Sequence, residues 1–594
     1  MRLVVGLLCA FTLFLSTLSS GLAASPPTIK LSGHVLRGLS SATDLGPMSG
    51  QQTLTLTIAL QPRSPGGVSV LVQPGFQASR ITFVHAVGRS QADVDALTTY
   101  FASYGLRVSA PDPDRLSFSV QGTVAQIQQA LGIPLHNFQA RHGRRFHAAV
   151  GEPRLPASLA PMVQAVLGLN GVASFHRMHT SIAASAQSLT SVPTSFAAST
   201  PGDFTPSDMR TAYDLSSLYS QGDGGNSQTI GIIGCDAFNL SDIRGFESQF
   251  GLPQAPISVH DVDGGGSGSD IETTLDLEWS DAIAPNAALI FYSFPEDPSG
   301  GCSNLGFYDA LTQAVDENAA SVLSISLGEC ELDLSPAEIS AFETRFSQAA
   351  ANGQGVFVAS GDQGAYACQD SWGNAALGVS YPASSQYVTA VGGTSLSLNG
   401  DGSYAGESAW GSWSECQGGC GSGGGVSQVI LEPSWQQTAS PVNNTGMRGV
   451  PDVAYNSDPA TGNVIYFDGN WHGGIGGTSI AAPQWAGIAA IANQIAGKRL
   501  GLLSPYLYAS NVINAEGSAS PPYHDIASGN NLYYDAGPGW DFATGWGSPR
   551  ACNLLTLIAD PSTQTATPLD VPLASGAYRI YLPLVVNSSP SAVC

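Results

Sequence analysis

The chain has 594 residues, with 21 Lys and Arg against 45 Asp and Glu for a net charge of −24, and 43% hydrophobic residues. So acidic a balance excludes a nucleic-acid binder, whose affinity rests on neutralising phosphates with basic side chains, while the apolar content is ample for a large core. The apolar run Leu3 to Leu15 is too short to cross a bilayer and no other stretch is expected to span one, which excludes an integral membrane protein.

In chain order, Met1-Arg2, that apolar run and Gly21-Leu22-Ala23-Ala24 read as a signal peptide over residues 1–24, so secretion is expected. Residues 25–180 read as an α/β unit, with helical patterns at Ser90 to Tyr104 and Thr123 to Leu131 and a strand-like alternation at Leu116 to Val120. Residues 25–203 carry 12 Lys and Arg against 7 Asp and Glu, net +5, whereas residues 204–594 carry 8 against 38, net −30. Opposite charge favours docking of the first part on the second. Residues 181–203, rich in Ser, Ala and Thr without an apolar period, read as an exposed, cleavable linker. Beyond it, strand-like runs at Thr229 to Gly234, Ala288 to Phe294, Ser321 to Ser326, Gly355 to Ser360 and Tyr387 to Gly393 alternate with helix candidates. That alternation predicts a doubly wound, mostly parallel sheet over residues 204–560. The tail 561–594 holds one largely apolar run, Tyr578 to Val586, for which an extra strand and disorder are both open.

Cys9 leaves with the signal peptide, and the other eight cysteines all lie beyond Phe204. An even number in an exported chain permits disulfides, but their connectivity is not readable. Cys416 and Cys420 have no second Cys or His pair at zinc-site spacing.

The segment Ser269 to Pro285 has a helical pattern that Ser269 or Asp270 can cap. Glu272 and Asp276 are four residues apart and share one face, where two like charges repel and gain the helix nothing. They read either as a solvated acidic face or as a proton-sharing couple able to act as a general base. Asp362 lies in the turn Gly361-Asp362-Gln363-Gly364 after a strand-like run, at a strand's carboxyl end, where open parallel sheets handle ligands. It is either a turn aspartate satisfying its own backbone or an acid that donates a hydrogen bond to an oxyanion. The run Gly476-Gly477-Thr478-Ser479 opens a helix without a charge until Lys498, so the helix is buried and Ser479 is either its cap or a nucleophile at a positive helix end. A second Gly-Gly-Thr-Ser, Gly392 to Ser395, runs into a strand and turn and lacks that helix start. The three histidines beyond Phe204, His260, His472 and His524, lack a histidine-triad setting and read as packing or surface residues. Asp525 and Asp541 on a glycine-rich loop supply hard oxygen ligands of the kind calcium takes, though such loops are more often plain turns.

Together these motifs resemble the sedolisins, or serine-carboxyl peptidases, and among them the bacterial kumamolisin-like members, from about Thr53 to Pro549. The resemblance implies a subtilisin-like catalytic domain behind an α/β, ferredoxin-like propeptide at residues 25–180. It implies a triad of Glu272, Asp276 and Ser479 with Asp362 as oxyanion acid. It also implies one structural Ca2+ held by Asp525 and Asp541 with the main-chain carbonyls of Ile526, Gly537 and Gly539. Its further implications are protein and peptide substrates, the chain's own propeptide as a partner, and no nucleic acid or membrane; a monomer is expected. Leu327 stands where those members often have Trp, and Gly234 where some place a supporting glutamate, which bears on the pH optimum. A carboxylate base implies activity at about pH 3 to 5. The cluster Arg141, His142, Arg144, Arg145 and His147 is expected to dock the propeptide, and self-cleavage is expected within Ser181 to Pro206. The competing readings fit less well. A glycosidase seldom needs a helix-start serine, and an α/β-hydrolase wants Gly-x-Ser-x-Gly, whereas Ala481 stands two residues after Ser479. A catalytically inactive binding protein on the same fold is expected to have lost one of the four residues, and none is lost.

Overall fold

The computed structural model describes residues 27–559 apart from 65–79, 142, 173, 182–187, 190–201, 298–299, 370–373, 415, 417 and 438–444. The expected signal peptide, the tail and most of the linker lie outside the described residues. Among the described residues no helix is long and apolar enough to cross a membrane.

The N-terminal unit is built on an antiparallel sheet. Strand β1 (Thr53–Leu60) leads to helix α1 (Gln91–Ser103), which begins at the predicted place because the Ser90 hydroxyl accepts from the Asp93 N–H. Strand β2 (Ser117–Thr123) then feeds α2 (Val124–Leu131) through a capping box made by Thr123 and Gln126. Strand β3 (Val163–Leu167) pairs with the free edge of β1, and the short strand Arg107–Val108 pairs with β2. The β1-α1-strand-β2-α2-β3 order with β1 and β2 central is the expected ferredoxin-like arrangement. Leu56, Ile58, Leu97, Phe101, Phe118 and Ile127 form its core.

Two extended segments then leave this unit, β4 (Ser174–Arg177) and β5 (Thr180–Ser181). Neither pairs within the N-terminal sheet; both pair with strands of the catalytic domain.

The catalytic domain contains β6 (Thr229–Gly234), β7 (Ile257–Asp261), α3 (Ile271–Ile283), β8 (Ala288–Ser293), α4 (Asn304–Glu317), β9 (Val322–Ile325) and β10 (Leu327–Cys330). It continues with α5 (Pro336–Ala351), β11 (Gly355–Ala359), β12 (Thr389–Leu398), β13 (Tyr404–Ala409), β14 (Val453–Asn456), β15 (Asn470–Gly476) and α6 (Thr478–Ala496). The main sheet has the order β7-β8-β6-β9-β11-β12-β13, with β14 also on β12, and every pairing is parallel except β12 with β13. The chain starts in the middle at β6, builds one wing through β7 and β8, then returns past β6 to build the other from β9. The predicted doubly wound sheet is therefore present, with β7, β13 and β14 added to the strands read from sequence. The second Gly-Gly-Thr-Ser lies inside β12, as its pattern suggested.

Helices cover both faces of the sheet. On one side α3 and α6 share a core containing Leu275, Trp279, Ile283, Ile480, Trp485 and Ile488. Their approach is unusually close because Gly487 faces Ile283, where an added Cβ would stand 2.8 Å from the isoleucine Cβ. On the other side α4 and α5 bury Phe307, Leu311, Phe342 and Phe346 in a core that also takes in Ala165, Leu167 and Phe175 of the N-terminal unit. Hydrophobic packing thus runs without a break from one unit into the other.

The polar contacts between the two units are mixed in sign: basic groups of the N-terminal part face carboxylates of the catalytic domain, and one contact has the opposite polarity. On α5 the fully buried Arg345 pairs with Asp112 of the N-terminal unit and lies 3.8 Å from Asp316. Beside it Gln348 donates to Asp114 and, at 3.0 Å, to Asp316. Of the basic cluster, Arg144 reaches the Glu329 carboxylate electrostatically, His147 bonds the Gly168 carbonyl within its own unit at 3.1 Å, Arg145 is exposed, and His142 lies outside the described residues. Among the described residues, the disulfides Cys235–Cys302, Cys330–Cys368 and Cys416–Cys420 supply connectivity that is not readable from spacing.

Candidate active site

Helix α3 carries two of the expected residues inward. Asp270 caps it, accepting from the Glu272 N–H at 3.0 Å, and every residue from Glu272 to Ile283 is buried. A charged pair one turn apart therefore sits in the interior rather than on a solvated face. Burial holds Glu272 above the usual carboxylate range against the pull of His179 and Ser479. Asp276 is raised further, by burial first and then by the charge of Glu272. Two acids so coupled share protons as a unit. Asp276 Oδ1 accepts the Ser326 hydroxyl at 2.7 Å.

Ser479 is the second residue of α6, and its Oγ is buried without a hydrogen-bond partner, as is Glu272 Oε1. The hydroxyl lies near enough to favour the Glu272 carboxylate but completes no hydrogen bond with it, an arrangement that tightens only when a reacting group is engaged. Asp362 follows β11 and turns in behind the same helix start. Its Oδ1 accepts the Thr478 N–H at 2.7 Å and the Thr478 hydroxyl at 3.0 Å. Burial pushes it up to about 7, with Thr478 and Thr180 pulling the other way. The four residues singled out from three separate motifs thus converge on one helix N-terminus.

The cleft they line is occupied by the chain itself. Strand β4 runs antiparallel to β10, with His176 opposite Gly328 and Arg177 opposite Leu327. Beyond it the Met178 N–H donates to the Ser326 carbonyl at 3.1 Å, and the Met178 carbonyl accepts the Ser479 N–H at 3.0 Å. Then β5 pairs with β15, Thr180 opposite Gly476. Gly477, at φ +101°, gives the room: a Cβ there would lie 2.4 Å from the Met178 oxygen and 2.6 Å from Asp362 Oδ2. The side chains of this segment also engage the reactive groups. His179 Nδ1 lies 2.7 Å from Glu272 Oε2, and the Thr180 hydroxyl donates to Asp362 Oδ2 at 2.8 Å. Burial lowers the His179 pKa, but Glu272, then Asp270 and Asp362, outweigh it and raise it overall.

His179, Thr180 and Ser326 were not singled out from the sequence. His179 lies upstream of Phe204, outside the part read as catalytic, and an ordinary Met-His-Thr gives no local sign of its destination. The three later histidines are elsewhere: His260 pairs with Glu317 at 2.8 Å, His472 reaches the Phe467 carbonyl at 3.2 Å, and His524 stacks on Tyr404.

The loop read as a calcium site brings its residues together. Asp525 Oδ1 accepts the Gly539 N–H at 3.0 Å, and Asp541 accepts the N–H groups of Gly537 at 3.0 Å and of Ala543 and Thr544 at 2.8 Å. Burial raises both carboxyls, Asp541 to about 6, which is the electrostatic situation a divalent cation relieves. Among the described residues no donor takes the main-chain oxygens of Ile526, Gly537 or Gly539, so the oxygen set fits a hard cation. No group of three or more His, Cys, Asp or Glu side chains suited to a metal occurs among the described residues, so any such site relies on carbonyls.

Comparison with known proteins covers most of the chain. Residues 40–172 match the family described as Pro-kumamolisin, activation domain, and residues 264–547 match the subtilase family. Kumamolisin of Bacillus sp. (strain MN-32) is 33% identical over 569 residues, covering 91% of this chain and 97% of that protein. Sedolisin of Pseudomonas sp. (strain 101) is 31% identical over 547 residues, covering 87% and 89%. Human tripeptidyl-peptidase 1 is 30% identical over 467 residues, covering 70% and 76%. Among solved structures, Pseudomonas sedolisin (serine-carboxyl proteinase) complexed with two molecules of pseudo-iodotyrostatin superposes with a TM-score of 0.54 at 34% identity, covering 61% of this chain and 99% of that one.

The contact between His179 and Glu272 has a defined pH signature. A histidine whose folded pKa is raised adds stability that is fully present below its unfolded pKa, about 6.5, and lost as pH rises through the folded one. In a Ser479→Ala background, which prevents cleavage, His179→Ala is expected to lower the thermal unfolding midpoint of the precursor near pH 6. The gap should close as the pH is raised, and a gap independent of pH would refute the ion pair.

Proposed function

The chain belongs to the sedolisin family of serine-carboxyl peptidases and is made as a zymogen with its own propeptide, and on that footing we propose that it is a secreted, acid-active endopeptidase working through an acyl-enzyme on Ser479. The observation that carries the proposal is the peptide carbonyl of Met178 seated on the Ser479 N–H, with Glu272 and Asp362 on either side.

In this reading the Glu272 carboxylate takes the Ser479 hydroxyl proton as Oγ attacks the carbonyl carbon of a bound peptide. The carbonyl oxygen becomes an oxyanion, held by the Ser479 N–H and by the carboxylic acid of Asp362. Collapse expels the amine, which takes the proton back from Glu272. Water then attacks the acyl-enzyme with Glu272 again as base, and as the bond to Ser479 Oγ breaks Glu272 returns the proton to that oxygen and the carboxylic acid product is released. Asp276, fixed by Ser326, keeps Glu272 oriented and shares its proton load. Propeptide residues occupy the same seats in the precursor, with His179 drawing Glu272 away from Ser479. The bond from Met178 to His179 is the one presented for attack, so the first cut falls just upstream of the Ser181 to Pro206 window read from sequence, and trimming of the linker follows. Asp525, Asp541 and the carbonyls of Ile526, Gly537 and Gly539 would hold one Ca2+, which would cross-link the loop and neutralise its carboxylates.

Three outcomes test these statements. Acidified wild-type precursor should yield a new N-terminus at His179, whereas Ser479→Ala should stay intact and lose turnover by on the order of a million-fold; equal processing of both would assign the cut to another protease. For the pH profile, a base works when deprotonated and an oxyanion acid when protonated. Activity should therefore rise through the titration of the Glu272 and Asp276 couple and fall as Asp362 ionises near about 7. The raised couple puts the maximum toward or above the upper end of the range inferred from sequence, and a rate still climbing above that point would overturn the assignment of Asp362. Chelation of calcium should lower the thermal midpoint of the wild type but leave Asp541→Asn insensitive; an unchanged wild-type midpoint would remove calcium from the account.

A further inference from the structure

Along an extended strand successive side chains point to opposite sides. In the segment occupying the cleft, His176 and Met178 face a cavity of about 750 Å3 between the two units, lined also by Trp413, Tyr366 and Glu329. Arg177 points the other way, into the catalytic domain. Its Nε donates to Asp236 at 2.9 Å, its Nη2 contacts both Asp236 and, at 2.5 Å, Glu296, and its Nε lies 3.7 Å from Asp270. Its Nη1 donates to the Gly300 carbonyl at 3.3 Å. The Arg177 side chain is 17% exposed and that of Asp236 only 3%.

All three carboxylates belong to the catalytic domain, on loops held around the cleft. Asp236 follows β6, Glu296 follows β8, and the Cys235–Cys302 disulfide ties the first loop to the chain just past the second. Asp270 caps the helix that presents Glu272. When the propeptide departs, Arg177 departs with it, while the three acids stay in place one residue along from the seat of the reacting carbonyl.

We infer that Asp236, Glu296 and Asp270 form a specificity subsite that selects a basic side chain, arginine above all, in peptide substrates at the residue immediately before the one whose carbonyl is attacked. The inference rests on the reading of the site given above, with Met178 as the residue whose carbonyl meets Ser479. Arginine suits the subsite better than lysine, because a planar guanidinium can face Asp236 through two nitrogens while reaching Glu296 and the Gly300 carbonyl with the others. A neutral side chain there would leave Asp236 buried without its cation, a penalty that falls on binding.

The test uses the mature enzyme and fluorogenic peptides carrying the sequence of residues 174–181, with Arg, Lys, Gln or Glu at the position of Arg177. Mass spectrometry of the products would locate the cut. The expected order is Arg, Lys, Gln, Glu, with kcat/KM for Gln lower than for Arg by about 30-fold or more and the loss mainly in KM. Asp236→Asn should bring the Arg to Gln ratio toward one. Glu296→Gln, on a half-exposed side chain, should do the same in part and serves if the Asp236 variant does not fold. Turnover of the whole series at the expected bond with an Arg to Gln ratio of one overturns this inference alone. Absence of turnover for every peptide overturns the site reading beneath it and the inference with it.

Discussion

The reactive part of this protein depends on one constraint: two carboxylates, a helical turn apart, are forced into the interior beside the N-terminus of another helix. Helix α3 has no solvent face from Glu272 to Ile283, and α6 packs on it closely because Gly487 leaves no side chain opposite Ile283. That approach brings the Ser479 hydroxyl and the Glu272 carboxyl to the same place. Both are buried, so neither acid ionises as it would in solvent, and His260, His472 and His524 all lie elsewhere.

The same logic extends through the catalytic domain. Asp276, Glu278 and Asp281 are buried and Asp309 half-buried, all four raised well above the usual carboxylate range, and Asp316 and Glu329 are pushed up to about 8, in each case by desolvation first. Asp281 is fully buried with neither carboxyl oxygen hydrogen-bonded, which suits the protonated acid. A carboxyl whose folded pKa is raised binds its proton more tightly folded than unfolded, so its contribution to stability is complete in acid and is lost as the pH rises through the raised value. Acidification here relieves buried charge instead of creating it, and the scarcity of lysine limits the positive charge left to repel.

The N-terminal unit acts on this site from a distance and at close range. Its sheet packs through Ala165 and Leu167, and β4 through Phe175, into the core formed by α4 and α5, and Arg345 closes the junction from the enzyme's side. That anchorage delivers residues 174–181 into the cleft in an extended conformation. The segment contacts the groups that line the cleft: the Ser479 N–H, the Asp362 carboxyl, one oxygen of the Glu272 carboxyl and the acids around Arg177.

The sequence alone determined what depends on short spacing. A spacing of four from Glu272 to Asp276 puts them on one helix face whatever they pack against, the uncharged run after Ser479 required a buried helix with the serine at its mouth, and the turn around Asp362 followed directly from the strand before it. Alternating strands and helices likewise required a doubly wound sheet, since each strand's apolar faces need covering. What only the tertiary structure decided was every contact between distant parts of the chain. His179 meets Glu272 across 93 residues and Thr180 meets Asp362 across 182, and neither has a periodicity that announces its partner. The disulfide pairing, the reversed polarity at Arg345 and the acid pocket around Arg177 arise in the same way. Local patterns reflect backbone geometry, which repeats every two or 3.6 residues, whereas the course of a propeptide through a cleft is set by which distant surfaces fit, and no window of sequence contains both of them.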